Sequence, residues 1–402
     1  MTDKTDDSAK GPADKSLGFR TRLSHVGRAG SRALGFVNPA VHRGSTVLFP
    51  NLEARAANRA KRTDQVLTYG TQGTQTHWAL EDMIAEIEGG TRALIVGTGL
   101  AAVTLPLMAY LQAGDHCLML DSCYGPARNF CDHYLAQMGV ETSYYDPCID
   151  EAGIATLIRP NTKIIYTESP GSQTFEIQDI PAIARAAHAR GVKVLMDNTW
   201  GIHFFQPFAH GVDVSIQALT KYVGGHSDIL LGSVTVNNDT DWLKVRGMAS
   251  LHGHYASPDD CWLALRGTRT MAVRLERQME SGIEVALWLS KRPEVKQVLH
   301  PALNGAPGHD LWRRDFTGAS SLFGIVFHPD ISAAAAGKFI DALQLFGLGS
   351  SWGGFESLAV PTEVTRTAGS GKFGGQMVRI HVGLEDVKDL VADLQQALGA
   401  MR

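Results

Sequence analysis

The chain has 402 residues, 44% of them hydrophobic and 19% charged, with a formal net charge of -4. That length exceeds one ordinary domain, and that composition excludes a disordered or fibrous chain. The mildly negative balance argues against a nucleic acid or any other polyanionic partner.

The first twenty residues mix Asp, Lys, Ser and Gly without the apolar stretch of a secretory signal, which predicts a frayed tail and a cytoplasmic protein. Arg55–Arg62 is basic and rich in Ala and Asn, the pattern of a solvated arm. The uncharged run from Ala93 to Tyr110 is roughly long enough to cross a bilayer, but Gly97, Gly99 and Pro106 interrupt it. It reads as strand, turn and helix, with no membrane partner. Further strands are predicted at Ala93–Val96, His116–Leu120, Lys163–Tyr166, Lys193–Met196 and Val212–Ile216. Ile180–Arg190 repeats apolar residues at helical spacing and stops at Gly191. This alternation is the mark of βαβ units and a mainly parallel sheet. Beyond Arg266 the rhythm changes, starting with a long amphipathic stretch from Thr268 to Leu289. The division expected is a tail and arm over 1–73, a large domain over 74–267 and a smaller α/β domain over 268–402. No internal repeat with a period of about 20 to 50 residues is present. Cys117, Cys123, Cys131, Cys148 and Cys261 form no CxxC pair and no metal-type spacing, so buried free thiols are expected and no metal.

The chemistry is suggested by the strand ends, because ligands of open α/β sheets sit at the C-terminal edges of strands. Val194-Leu195-Met196 runs straight into Asp197, which taken alone would only cap a turn. A second strand leads into Thr220-Lys221-Tyr222, and a lysine in apolar surroundings is a candidate for a depressed pKa. An acid and an amine so placed are what pyridoxal chemistry requires. The amine forms a Schiff base, and the carboxylate keeps the pyridine nitrogen protonated, making the ring an electron sink. Gly97-Thr98-Gly99-Leu100-Ala101-Ala102, between a strand and a helix, offers backbone N–H groups to a phosphate.

The stretch Ser215 to Asp228, SIQALTKYVGGHSD, closely resembles the cofactor-lysine segment of the cysteine and methionine metabolism family of pyridoxal-phosphate enzymes. Tyr69-Gly70, Gly73-Thr74, Glu168-Ser169-Pro170-Gly171-Ser172 and Asp197-Asn198-Thr199-Trp200 resemble further landmarks of that family, in the family's order. The resemblance implies the fold of the aspartate aminotransferase class, fold type I, pyridoxal 5'-phosphate as cofactor, and a homotetramer built as a dimer of active dimers. It implies that Lys221 is both the cofactor-bearing amine and the base that moves protons. Tyr124 would stack on the ring, Asp197 would meet its nitrogen, and Gly99, Leu100 and Thr220 would hold the phosphate. Arg379, alternating with apolar neighbours, would take the substrate's α-carboxylate by its planar fork. The alternative for Arg379 is an edge-strand side chain facing water. Tyr69 would reach the site from a neighbouring subunit. Where the family reads Tyr-x-Arg this chain reads Tyr69-Gly70-Thr71, so Thr71 contributes no charge to the phosphate, and Arg43 or Arg62 is the candidate replacement. Ala218 likewise lacks a hydroxyl that some relatives carry.

Ser350-Ser351-Trp352-Gly353-Gly354-Phe355-Glu356-Ser357-Leu358 resembles the β-eliminating bacterial branch, with Trp352 where γ-acting relatives have Leu and with Ser351 and Trp352 beside the substrate. Leu311–Gly318 and Arg379–Asp386 resemble that branch as well, and Ala359-Val360-Pro361-Thr362-Glu363 replaces the sequence that commonly follows in γ-acting enzymes. The implied reaction is a carbon–sulfur lyase on L-cystathionine or related β-thio amino acids, yielding homocysteine, pyruvate and ammonia for methionine biosynthesis. A γ-lyase or a cysteine desulfhydrase is the alternative.

Overall fold

The structure is a computed structural model and describes residues 15–28, 34–369 and 373–401. Most of the expected tail, residues 1–14, lies outside the described residues. Its end does not: Phe19–His25 is a helix whose Leu23 is buried, so ordered structure begins within the segment expected to fray. Leu52–Ala60 is also a helix, N-capped by the Asn51 side chain, with no buried residue, which accounts for the solvated character of this arm.

Seven strands form the large sheet: β1 (Arg92–Val96), β2 (His116–Leu120), β3 (Glu141–Tyr145), β4 (Thr162–Glu168), β5 (Lys193–Asp197), β6 (Val214–Gln217) and β7 (Gly232–Val236), in the order β1-β7-β6-β5-β4-β2-β3. The run from β6 to β3 is parallel, and β7 is antiparallel to both of its neighbours. The strands seen in sequence are present, each within a few residues of its expected bounds. β3 and β7 were not visible there. ETSYY carries no apolar run, because its position at the sheet edge leaves three of its five residues half-buried and one exposed. GSVTV is wholly buried, yet its Gly, Ser and Thr hide that from a hydropathy reading. Gly232 is needed at that point, since a Cβ would come within 2.3 Å of the Thr98 carbonyl oxygen.

The second sheet is antiparallel: β8 (Val295–Leu299), β9 (Leu322–Phe327), β10 (Leu358–Thr362) and β11 (Met377–His381), in the order β10-β11-β9-β8. One helix, Pro258–Leu289, joins the two units. Its Cys261, Ala264, Leu265, Met271 and Leu275 belong to the core of the large sheet, whereas Val285, Ala286 and Leu289 belong to that of the small one. The helix starts ten residues before the expected stretch because Ser257 caps it, Pro258 opens it and Asp259 and Asp260 complement its dipole. Gly267 obscured its continuity; a Cβ there would lie 2.3 Å from the Val223 carbonyl oxygen, so the helix can approach the Lys221 turn only through a glycine. Four of the five cysteines are buried and free, but Cys148 is exposed, contrary to expectation. Among the described residues, no helix is long and apolar enough to cross a membrane.

Candidate active site

A cavity of about 560 Å³ opens where the C-terminal ends of β4, β5 and β6 meet the start of helix Gly99–Tyr110 and the loop Ser350–Trp352 of the small unit. Lys221, Asp197, Tyr124, Gly99, Leu100, Thr220, Ser351, Trp352 and Arg379 all line it. Three different strand ends and a second sheet thus deliver to one place the residues that the sequence singled out.

Lys221 lies in the turn that follows β6, and its Nζ donates to Ser351 Oγ at 2.5 Å and sits 5.5 Å from the centre of the Trp352 ring. Burial, and then the Arg379 charge, lower its pKa to about 8, with Asp197 opposing. Arg379, on β11, donates to the Ser351 carbonyl at 2.9 Å, and among the described residues no carboxylate lies within 4 Å of it. Burial lowers its pKa as well, so it is not a water-facing edge residue. Its fork is held in the cavity without an anion of the protein to neutralise it. Ser351 therefore bridges amine and guanidinium, and it does so with a left-handed backbone, φ 79°, that a non-glycine residue adopts only under constraint. Gly353 explains how the loop comes so close, since a Cβ on it would be 2.9 Å from the Lys221 carbonyl carbon.

Asp197 ends β5, and its carboxylate accepts from the Thr199 N–H at 3.0 Å. Burial raises its pKa, with the Thr199 contacts and Lys221 opposing. Thr199 Oγ1 in turn accepts from the Ala218 N–H at 2.9 Å, which ties the acid's turn to the lysine's. Tyr124 caps the short helix Gly125–Asn129 after β2 and is 41% exposed, leaving a ring face open to the cavity. Burial raises its hydroxyl pKa, followed by the charges of Asp197 and Glu168.

The helix start fits a phosphate. Thr98 caps Ala101, and Gly99 permits the contact with the lysine turn, because a Cβ on it would meet the Ala218 Cβ at 2.7 Å. The same contact gives the small Ala218 side chain a reason of its own. Thr220 lies beside this cradle, with its hydroxyl donating to the Leu231 carbonyl at 3.2 Å and accepting from the Leu231 N–H at 3.1 Å. One acceptor position remains to it, and its proton is committed to Leu231. Tyr69 and Thr71 do not line this cavity. They flank Gly70, whose N–H donates to Ser45 O at 2.8 Å, and Tyr69 is 52% exposed. Neither Arg43, paired with Asp259, nor Arg62, on the surface, lines it either.

Two acids went unassigned in the sequence. Glu168, at the end of β4, accepts from the Tyr124 N–H at 2.7 Å and lines the cavity. Its signal was available, since it ends a buried strand just as Asp197 does. Glu88 lies beneath the site, wholly buried, receiving Gln217 Nε2 at 2.7 Å, the Ser215 hydroxyl and Asn198 Nδ2 at 3.3 Å. Burial pushes its pKa up to about 7 against those hydrogen bonds. Gln217 also donates to the Asn198 carbonyl at 2.9 Å, so Glu88 pins the end of β6 to the residue after Asp197. Followed by Gly89 and Gly90 at a helix terminus, it resembles any surface carboxylate in sequence.

An amine lowered towards neutrality, an acid and a capped helix start sharing one cavity define the site of a pyridoxal-phosphate enzyme of fold type I. Residues 20–399 match the sequence model of the Cys/Met metabolism PLP-dependent enzyme family. The chain is 40% identical over 390 residues to cystathionine beta-lyase MetC of Escherichia coli, covering 95% of this chain and 98% of that protein. It is 42% identical over 383 residues to a cystathionine beta-lyase of Haemophilus influenzae, covering 93% and 96%. The crystal structure of metB from Corynebacterium glutamicum superposes with a TM-score of 0.88 at 30% identity, covering 96% of this chain and 99% of that one. The chain belongs to the Cys/Met metabolism family of PLP-dependent enzymes.

Proposed function

We propose that the protein is a cystathionine β-lyase, splitting the Cβ–S bond of L-cystathionine to give homocysteine, pyruvate and ammonia. The observation that carries this reading is Lys221 Nζ held beside Trp352 and Ser351, with the uncompensated Arg379 in the same cavity. Full-length identities of 40% and 42% to proteins named cystathionine beta-lyase support it.

Asp197, Tyr124, Gly99, Leu100 and Lys221 would hold the cofactor, and Thr220 would join them by turning its hydroxyl from the Leu231 carbonyl to the phosphate. When bound, pyridoxal phosphate supplies a sink for the negative charge left at the substrate's Cα. Arg379 binds the α-carboxylate and so turns the single Cα hydrogen toward Lys221. The Lys221 amine takes the Cα proton and returns one to the departing sulfur. A pKa near 8 lets the same group do both at neutral pH. A β-leaving group needs one such removal, whereas a γ-leaving group needs a second at Cβ. The Trp352 indole stands over the amine, its ring centre 5.5 Å from it, and narrows the cavity in which a second transfer would have to take place. Ser351 accepts the ammonium hydrogen and holds the lysine in place while it carries the proton. Tyr69 completes the site from a second subunit in this reading, within a homotetramer, and the protein acts in the cytoplasm in methionine biosynthesis.

Incubation of the purified enzyme with L-cystathionine tests the assignment. Pyruvate with homocysteine is expected, and 2-oxobutyrate with cysteine would overturn it in favour of γ-cleavage.

A further inference from the structure

Glu168 and Asp197 are the last residues of two adjacent parallel strands, and their Cα atoms are in register. Side chains at paired positions of neighbouring parallel strands leave the sheet on the same face, so two carboxyl groups share the floor of one cavity. They are unequally supported. Asp197 receives the Thr199 N–H and the attraction of Lys221, whereas Glu168 receives only the Tyr124 N–H, at 2.7 Å. Among the described residues, no Lys, Arg or His lies within 4 Å of Glu168. Its backbone is fixed independently, with its N–H donating to the buried Gln178 side chain at 3.1 Å.

We propose that Glu168 is a positioning residue for the cofactor: its carboxyl group anchors the backbone beneath Tyr124 and, as the protonated member of an acid pair, leaves the pair's negative charge on Asp197. Two like charges in this setting cannot both persist in a partly desolvated cavity, and the less supported acid takes the proton. The groups facing Glu168 leave no other outcome. Tyr124 and Cys123 follow β2, Tyr166 lies on its own strand, and Lys221 and Arg379 reach the cavity from the turn after β6 and from β11. The first three are neutral below pH 8, since burial raises all of them. Of the two cations, Lys221 acts on Asp197 rather than on Glu168, and Arg379 is tied to Ser351. Both burial and the Asp197 charge push the Glu168 pKa well up. The charge arrangement is then one anion at the position that meets a ring cation, next to an acid that holds the aromatic ring's backbone without competing for that cation.

The inference rests on the cofactor reading and not on the choice of substrate, so binding of pyridoxal phosphate to the apoprotein tests it whatever the enzyme cleaves. Glu168→Gln keeps an oxygen acceptor for the Tyr124 N–H, and Glu168→Leu removes it. The leucine variant is expected to bind pyridoxal phosphate about five- to tenfold more weakly than the glutamine variant, the effect of one lost hydrogen bond. Equal affinities would overturn the anchoring role. Protonation has its own readout, in case the leucine variant does not fold. A proton held by the folded pair and absent from the unfolded chain makes wild-type stability fall as pH rises above the unfolded value of about 4.5. The unfolding constants of the wild-type and Glu168→Gln apoproteins should therefore diverge as pH rises from about 5 toward neutrality, by up to about tenfold per pH unit, with the variant gaining. A pH-independent ratio over that interval would show that Glu168 is ionised in the folded protein and would sink the proposal.

Discussion

Capture of pyridoxal phosphate by the apoprotein at different pH values reads the ionisation of Lys221. Burial and the Arg379 charge bring the amine from 10.5 to about 8, against the pull of Asp197. At pH 8 about half of such an amine is free, compared with about 0.3% of an unburied lysine, so capture should run about 150-fold faster than on a surface amine of equal nucleophilicity. Borohydride reduction traps the covalent product, and peptide mass locates it on Lys221. The trapping rate should climb about tenfold per pH unit below pH 7 and level off above about pH 9. Arg379→Met should move the midpoint up, because that cation lowers the amine's pKa, and Asp197→Asn should move it down. A wild-type rate that continues to climb through pH 10 would mean that neither burial nor Arg379 lowers the amine's pKa.

Arg379→Lys keeps the charge but loses the planar fork, and kcat/KM for cystathionine should fall about 10- to 100-fold with most of the change in KM; an unchanged KM would place the α-carboxylate elsewhere. Gly99→Ala puts a Cβ 2.7 Å from that of Ala218, which should weaken pyridoxal phosphate binding and cost about 1–3 kcal/mol of stability, and the double variant with Ala218→Gly should recover part of both, since the Cα of residue 218 remains 3.3 Å away. Failure of that rescue in a binding titration and a melting curve would mean that the contact does not shape the cradle. Glu88 has a folded pKa of about 7 against 4.5 unfolded, so the folded state holds the extra proton and this group's contribution is lost as pH rises from about 4.5 to about 7. Urea unfolding of Glu88→Gln should move in the variant's favour relative to wild type by up to about 3 kcal/mol across that interval, and a constant difference would contradict it.

Much of the large sheet was legible because a parallel sheet covered on both faces leaves short apolar runs, as in HCLML of β2 and VLM of β5, and these stand out between helical patterns. β7 was not, since Ser233 and Thr235 are buried there although polar, and Gly232 occupies the close approach to Thr98, so no apolar run marks the strand. Asp197 and Lys221 announced themselves as polar residues at the ends of apolar strands. The meeting of Lys221 with Ser351 and Arg379 joins residues 130 positions apart or more, through an antiparallel sheet that no local pattern aligns with the first. Family resemblance assigned these positions; packing against Gly353 and the left-handed Ser351 shows how they are reached. Glu88 was invisible for the opposite reason, as only the tertiary fold turns a helix-terminal glutamate inward to three amide and hydroxyl donors.

In the proposed reaction one buried amine, that of Lys221, does the proton transfers that release homocysteine. Lys221→Ala, reconstituted with pyridoxal phosphate and supplied with L-cystathionine, should form pyruvate at least about a hundredfold more slowly than wild type, as expected for removal of a positioned general base. Pyruvate released at the wild-type rate would contradict it.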